Sequence, residues 1–157
     1  MREVEIYTDG ACSGNPGKGG WGTILIYKGK EKILSGFELE TTNNKMELLA
    51  AIKGLEALKE SCRVKLYSDS AYLVNAFTKG WLNSWIKNGW ARGEKKEELK
   101  NLDLWKQLYA LSQKHTMEWI KVKGHSDNVY NNRCDKLATG EIAKMYNDQK
   151  LRILKQL

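Results

Sequence analysis

The sequence predicts an α/β fold: a mixed five-stranded sheet with helices on its faces. Two observations lead to this prediction. The first forty residues form strand-like apolar runs joined by short connections, which is typical of an antiparallel meander. From about residue 43 onward, segments with helical periodicity alternate with short strand-like runs. Strand–helix–strand steps favour parallel neighbours with right-handed crossovers, so the predicted order is βββαβααβα.

The three N-terminal strands are predicted where apolar runs are bounded by turn residues. They cover residues 4–11, 21–27 and 31–39. Residues 13–20 are rich in glycine and hold the only proline, so they predict a loop. This loop joins two strands and opens no helix, and it therefore does not indicate a P-loop phosphate site.

The rest of the chain predicts alternating helices and strands. Leucine and isoleucine at helical spacing predict a first helix over residues 43–60, with Asn43 or Asn44 as its N-cap. A later segment, residues 83–98, fits neither period. The remaining predicted elements are strands at 63–68 and 116–123, and helices at 71–81, 99–115 and 131–149, with the tail to residue 157 as a candidate extension.

Length and composition favour a single intracellular domain. Residues 1–157 suffice for one hydrophobic core. Three cysteines without CxxC spacing argue against disulfides and zinc, and they favour a reducing, cytoplasmic setting. No signal core and no apolar run of bilayer length is seen, so we expect no membrane partner. The formal net charge of +7 fits an anionic partner without identifying one.

Four acidic residues stand near the ends of predicted elements. Asp9 and Asp69 close strand-like runs, whereas Glu47 and Asp135 open predicted helices. Carboxyl ends of parallel neighbouring strands share one sheet edge, the usual site in open α/β sheets. Glu47 lies beside the apolar stripe of its helix and is predicted to point toward the sheet. Grouped carboxylates repel one another unless a cation lies among them, and Mg²⁺ prefers oxygen ligands.

Each of these residues also has a simpler explanation. Negative charge is favoured in the first turn of a helix, which would account for Glu47 and Asp135. Asp9 and Asp69 are also common turn formers. His125 lies on a predicted loop ten residues before Asp135. A lone histidine on a loop is usually just an exposed residue, but histidine also suits proton transfer near neutral pH. The joint placement of these residues favours a site.

A basic, tryptophan-containing protrusion is predicted at about residues 81–98. Tryptophans at helical spacing are more often core residues than ligand contacts, and Trp81 and Trp85 are four residues apart. However, aliphatic residues are scarce here and cations are interleaved with the aromatics. That composition favours an element that grips a nucleic-acid backbone.

Several motifs together closely resemble the bacterial type 1 ribonuclease H family. They are TDGACSGNPG, TTNNKMEL, YSDSAY, the WxxxWxxxGW stretch, VKGH and NNRCDKLA, and the likeness runs from about residue 7 to residue 143. The resemblance implies the RNase H-like fold and hydrolysis of the RNA strand of RNA/DNA hybrids. It also implies products with 3′-hydroxyl and 5′-phosphate ends, and a requirement for Mg²⁺ or Mn²⁺.

The resemblance also assigns roles to residues. Asp9, Glu47, Asp69 and Asp135 correspond to the metal ligands, and His125 to a loop histidine that assists proton transfer or product release. Two Mg²⁺ ions about 4 Å apart would act together, with Asp9 as the candidate bridge. The positions corresponding to contacts with the hybrid are Cys12, Asn15, Thr42, Asn43, Asn44, Trp81, Trp85, Lys87, Trp90, Lys95 and Lys96.

Three alternatives remain open at this stage. The chain could be a DNA-directed nuclease on the same fold, a hybrid-binding module without catalysis, or a structural domain with incidental acidic residues. The presence of all four carboxylates argues against a binding module, and their joint placement argues against a structural domain. We expect a monomer.

Overall fold

The computed structural model describes residues 1–93, 97–124 and 127–157, with residues 97 and 98 described by their backbone alone. The strands are β1 (Arg2–Gly14), β2 (Gly17–Tyr27), β3 (Lys30–Thr41), β4 (Cys62–Ser68), β5 (Ala91–Arg92), β6 (Glu97–Glu98) and β7 (Thr116–Lys121). The helices are α1 (Asn43–Glu56), α2 (Ala71–Thr78), α3 (Trp81–Lys87), α4 (Leu102–Ser112) and α5 (Val129–Gln156).

The main sheet has five strands in the order β3–β2–β1–β4–β7. Strands β1, β2 and β3 form an antiparallel meander, and β4 and β7 run parallel to β1. The predicted mixed five-stranded sheet is therefore confirmed. Strand β1 lies at its centre, and β3 and β7 lie at its edges. A separate two-stranded ribbon pairs β5 with β6.

The predicted loop over residues 13–20 is wrong. Strands β1 and β2 continue through it, and Gly14 pairs with Gly17 around a two-residue turn. The glycines serve close packing instead of a loop. A Cβ added to Gly20 would meet the carbonyl oxygen of Ala138, so glycine lets α5 lie directly on β2.

The predicted helix over residues 71–81 is two helices. Helix α2 ends at Thr78, and Gly80, with a left-handed φ of 74°, starts the separate helix α3. Helix α1 ends at Glu56, four residues before the predicted end. Its N-cap is Thr42, whose side-chain oxygen accepts a hydrogen bond from the Lys45 amide, and not Asn43 or Asn44.

The core lies on both faces of the sheet. On one face, α1 and α4 bury a cluster that includes Leu48, Leu66 and Trp105, each 0% exposed. On the other face, α5 covers β1 and β2, and Cys134 packs beside Ile24. Helix α5 continues to Gln156, so the tail is helical. No helix in the described ranges is long and apolar enough to cross a membrane.

Candidate active site

The register between β1 and β4 brings Asp9 and Asp69 side by side. The parallel ladder pairs Tyr7 with Tyr67, so the residues two positions further along lie at the same level. The sequence predicts that Asp9 closes its strand, whereas β1 continues to Gly14. It is β4 that ends, at Ser68, and leaves Asp69 free to turn toward its neighbour.

Gly10 links β1 to α1 at this point. Its backbone N–H donates to Asp9 Oδ1 at 2.9 Å and to Glu47 Oε1 at 2.7 Å. A Cβ on Gly10 would lie 2.5 Å from the Glu47 backbone nitrogen, so only glycine lets helix and strand approach this closely. Ser68 Oγ donates to Glu47 Oε2 at 3.4 Å. Asp9 and Glu47 are thereby fixed against the sheet, 4% and 3% exposed respectively.

The helix-dipole explanation for Glu47 and Asp135 does not hold. Glu47 is the fifth residue of α1 and Asp135 the seventh of α5, and neither helix has an acidic residue in its first turn. Favourable interaction with a helix dipole is limited to the first turn. Glu47 is also buried, as its position beside the apolar stripe predicts. A buried carboxylate in this position needs another explanation.

Burial and mutual repulsion raise the pKa of both buried carboxyl groups. Desolvation raises the pKa of Asp9 to about 7, opposed by a hydrogen bond with Glu47 and reinforced by the charges of Asp69 and Asp135. Desolvation, followed by the charge of Asp9, raises the pKa of Glu47 well above its usual value. Both shifts favour the protonated carboxyl groups, whereas a bound cation would favour the ionised ones.

Three of the predicted ligands form one compact group. Asp9, Glu47 and Asp69 each offer a carboxylate oxygen, and these oxygens all lie within 4.8 Å of one another. Asp135 is outside this group but lines the same cavity, which has a volume of about 500 Å³. Its half-buried position on α5 places a fourth carboxylate across the cavity. The four predicted residues therefore converge on one opening.

Asn131, which the sequence pattern does not single out, also lines the cavity. It is 3% exposed, and its side-chain oxygen has no hydrogen-bond partner among the described residues. An unpaired buried carbonyl oxygen is costly unless a ligand or ion completes its bonding. The available signal was its position four residues before Asp135, which places both on one face of α5.

The predicted contacts near the N-terminus of α1 lie around the same cavity. Cys12, Asn43 and Asn44 line it, and the two asparagines are exposed at the start of α1. Free backbone N–H groups at a helix N-terminus favour anions. Asn15 Oδ1 accepts from the Asn43 amide at 3.1 Å, and Thr42 caps the helix, so both position this turn.

The tryptophans of the predicted protrusion differ in their surroundings. Trp85 packs edge-on against Trp105 with ring centroids 5.2 Å apart, and Trp90 packs against Tyr109 at 5.8 Å. Trp81 is 40% exposed at the start of α3. Trp85 and Trp90 thus have a core role whatever else they contact. Trp81 and Lys87 are both exposed, so both have surface available to a ligand.

Some predicted site residues lie outside the described residues: His125, Lys95 and Lys96. The last described residue before His125 is Gly124, and a Cβ built there would lie 3.3 Å from Asp69 Oδ2. The chain therefore passes the carboxylate group immediately before His125. The role of His125 stays a prediction.

The donor set fits a hard divalent cation. Its atoms are carboxylate oxygens, and Mg²⁺ and Mn²⁺ take such ligands. No thiol or imidazole belongs to the compact group of three. A divalent cation would also offset the repulsion that raises the pKa of Asp9 and Glu47. The residues present therefore fit the metal that the resemblance implies.

Comparison with known proteins identifies the family of this chain. The RNase H family model matches residues 1–143. Ribonuclease H of Acetivibrio thermocellus is 66% identical over 144 residues, which cover 92% of this chain and 97% of that protein. The crystal structure of LC9-RNase H1, a type 1 RNase H with the type 2 active-site motif, is 29% identical with a TM-score of 0.78, covering 89% of this chain and 72% of that one.

A more distant structure shares the fold. LC11-RNase H1 in complex with an RNA/DNA hybrid superposes with a TM-score of 0.64 at 22% identity, over 91% of this chain and 99% of that one. The match of the family model over most of the chain and the high identity to the Acetivibrio enzyme settle the family. The chain belongs to the ribonuclease H family.

Proposed function

We propose that this protein is an endoribonuclease that hydrolyses the RNA strand of RNA/DNA hybrids with two bound divalent cations, Mg²⁺ or Mn²⁺, and leaves 3′-hydroxyl and 5′-phosphate ends. The observation that supports it most is the group of three carboxylates, with Asp135 across the same cavity. Family membership supplies the substrate class. Together these favour an active enzyme over a binding module.

The proposed metal ligands are Asp9, Glu47, Asp69 and Asp135. When bound, the cations supply a water of lowered pKa as nucleophile and stabilise the leaving oxygen. Asp9 is the proposed shared ligand, because it lies on the central strand β1, level with Asp69 on β4, and shares the Gly10 amide with Glu47. The Gly10 amide holds the Asp9 and Glu47 carboxylates in place through hydrogen bonds to both. Because these two carboxylates are already held in position, they would need little rearrangement during catalysis.

We propose that strand choice depends on the rim of the cavity. RNA differs from DNA by its 2′-hydroxyl, which donates and accepts hydrogen bonds. Glu47 and backbone groups near Cys12 and Asn15 are the proposed sensors of that hydroxyl. The exposed start of α1, at Asn43 and Asn44, is the proposed phosphate contact.

The second strand would be held by sequence-independent contacts. The proposed contacts are Thr42, Trp81, Lys87, Lys95 and Lys96. Trp85 and Trp90, which pack against Trp105 and Tyr109, are proposed as supporting residues. Phosphate contacts carry little sequence information, so we expect weak sequence preference. His125 is proposed to move a proton or assist product release, because its neighbour Gly124 lies beside Asp69.

The catalytic unit is proposed to be one chain, since all four carboxylates come from it. We also propose that residues 1–157 form one domain, because α5 packs along β1, β2 and β3 and extends to residue 156. The three cysteines are free, and this suits the reducing cytoplasm that we propose as its location.

Metal titration with product analysis tests this proposal. Calorimetry with Mg²⁺ should give binding that is lost in Asp69→Asn and kept in Asp148→Asn, an exposed acid on α5. Cleavage products should be ligatable at a 5′-phosphate without prior kinase treatment. Equal Mg²⁺ binding by Asp69→Asn, or products with 5′-hydroxyl ends, would contradict it.

A further inference from the structure

Two tyrosines stand side by side just before the carboxylates of the sheet. Tyr7 lies two residues before Asp9, and Tyr67 lies two residues before Asp69. The β1–β4 ladder pairs the two tyrosines, and their rings stack with centroids 4.4 Å apart and an angle of 4° between the planes. Since side chains two positions apart share one face of a strand, the Tyr7 ring and the Asp9 carboxylate lie on the same face of β1.

A third tyrosine, on α5, packs against this pair. Tyr130 lies in the first turn of α5, and its ring centroid is 4.9 Å from that of Tyr7, with the planes tilted by 32°. The Arg133 guanidinium lies 5.4 Å from the centre of the Tyr130 ring. The same guanidinium donates to the two carboxylate oxygens of Glu31 at 2.8 and 2.9 Å. Tyr130 therefore contacts the sheet and also an arginine that is anchored to β3.

The next turn of α5 is fixed to the sheet at the level of Asp9. Cys134 Sγ donates to the backbone oxygen of Tyr7 at 3.3 Å. Gly22, which is paired with Asp9 in the β1–β2 ladder, has no room for a side chain, because a Cβ there would lie 2.5 Å from the carbonyl oxygen of Cys134. Asp135 follows Cys134 directly, so the packing of α5 on Tyr7 and Gly22 brings Asp135 to the level of Asp9.

Asp135 is the proposed metal ligand that depends most on this packing. Oxygens of Asp9, Glu47 and Asp69 already lie within 4.8 Å of one another, whereas Asp135 lines the cavity from α5. Mg²⁺ requires ligand distances of about 2.0–2.1 Å in a nearly ideal geometry. A small displacement of α5 would therefore take Asp135 out of reach of a cation while the other three carboxylates stay in place.

We propose that Tyr130 is a positioning residue for the metal site. Its ring, packed on Tyr7, holds the start of α5 at the distance from the sheet that lets Asp135 reach the cations held by Asp9. Tyr67 contributes by stacking on Tyr7 from the neighbouring strand. This role presupposes the metal-dependent function proposed above. Tyr130 is not among the described residues that line the cavity, so it acts through Asp135 and not on a ligand.

Calorimetry with Mg²⁺ on the metal-free protein measures this role. Tyr130→Ala should weaken Mg²⁺ binding roughly tenfold, the lower end of the losses that follow when residues orienting a metal ligand are changed. Tyr130→Phe keeps the ring and should bind Mg²⁺ like the wild type. Leu108→Ala, in the core on the other face of the sheet, should lower stability through the cavity it creates and leave Mg²⁺ affinity unchanged. If the alanine variant unfolds, Tyr130→Leu replaces it, with a smaller expected loss of affinity.

A double-mutant cycle with Asp135→Asn gives the decisive result. Asp135→Asn should itself weaken Mg²⁺ binding. Because Tyr130 acts through Asp135, Tyr130→Ala should have no further effect on Mg²⁺ affinity in the Asp135→Asn background. Equal weakening by Tyr130→Ala in both backgrounds would overturn the inference. Wild-type affinity in Tyr130→Ala or in Asp135→Asn, or an equal loss in Leu108→Ala, would overturn it as well.

Hybrid cleavage separates this inference from the proposed function. In Tyr130→Ala, the Mg²⁺ concentration for half-maximal cleavage should rise by the same factor as the calorimetric Kd. The KM for the hybrid should stay unchanged, since no proposed substrate contact is altered. A raised KM with an unchanged Mg²⁺ requirement would overturn the positioning role. A wild type that shows the coupling between Tyr130 and Asp135 in Mg²⁺ binding but cuts no hybrid would contradict the proposed function and leave the positioning role supported.

Discussion

Replacing Asp9 by asparagine should stabilise the metal-free protein at neutral pH while abolishing its activity. Asp9 is 4% exposed and lies within reach of three other carboxylates, so ionising it in the folded state is unfavourable. Asparagine has nearly the same shape and carries no charge. The change therefore removes the repulsion and keeps the packing.

The size of the effect follows from the raised pKa of Asp9. The folded-state pKa is about 7 against an ordinary value of 3.8, so the folded protein binds more protons than the unfolded chain between these pH values. Stability contributed by this group is present below about pH 4 and is lost as the pH rises to about 7. A shift of this size corresponds to at most about 4 kcal/mol.

The expected net gain in the stability of Asp9→Asn is smaller, because asparagine is a weaker acceptor for the Gly10 amide than a carboxylate. We expect about 1–2 kcal/mol at pH 8, since hydrogen bonds to charged groups are the stronger ones. For a chain of this length that corresponds to an increase in Tm of about 2–8 °C.

Thermal unfolding in EDTA at pH 4 and pH 8 measures this effect. The Tm of Asp9→Asn should exceed that of the wild type at pH 8 and approach it at pH 4. Asp148→Asn, which removes an exposed acid, should change Tm little at either pH. Saturating Mg²⁺ should narrow the difference, since a ligand that binds only the folded wild type stabilises it. A variant no more stable than the wild type at pH 8, or equally stabilised at both pH values, would refute the reasoning.

Three further predictions concern packing and substrate binding. Gly10→Ala should destabilise the protein by about 1–3 kcal/mol and reduce cleavage, because the added Cβ would push α1 and Glu47 away from β1. Denaturant unfolding measures the loss of stability, and an unchanged stability would contradict this prediction. Trp85→Ala should cost about 2–4 kcal/mol of stability, whereas Trp81→Ala should leave stability nearly unchanged and weaken hybrid binding. If both variants lowered the free energy of unfolding equally, the core role of Trp85 and the ligand-contact role of Trp81 would be contradicted. Hybrid affinity should fall at least about tenfold between 50 and 200 mM salt, as phosphate contacts require, and a salt-independent Kd measured by fluorescence anisotropy would contradict this.

Much of the sheet could be predicted from the sequence. The strand-like runs and the strand–helix–strand order were sufficient for the five-stranded mixed sheet, because hydrophobic periodicity depends on local geometry. The glycine-rich segment misled the prediction. Gly20 is required by its contact with Ala138 of α5, more than a hundred residues away, and no local pattern contains that distance.

Part of the site could also be predicted from the sequence. Asp9 and Asp69 were expected to meet because parallel neighbours share a carboxyl edge, and the Tyr7–Tyr67 register brings them level. The sequence could not show that β4 ends where β1 continues. Nor could it show that the side-chain oxygen of Asn131 is buried without a partner, since burial depends on how α5 docks on the sheet.

The most direct test of the account is a cleavage assay on a duplex with one labelled RNA strand and one DNA strand. Reactions with Mg²⁺ or with EDTA would be compared for the wild type and Asp69→Asn, with RNA/RNA and DNA/DNA duplexes alongside. We expect Mg²⁺-dependent cutting of RNA in the hybrid alone, and we expect Asp69→Asn to lose this cutting while it still binds the hybrid. Tight binding without cutting by the wild type, or cutting of the DNA/DNA duplex, would contradict it.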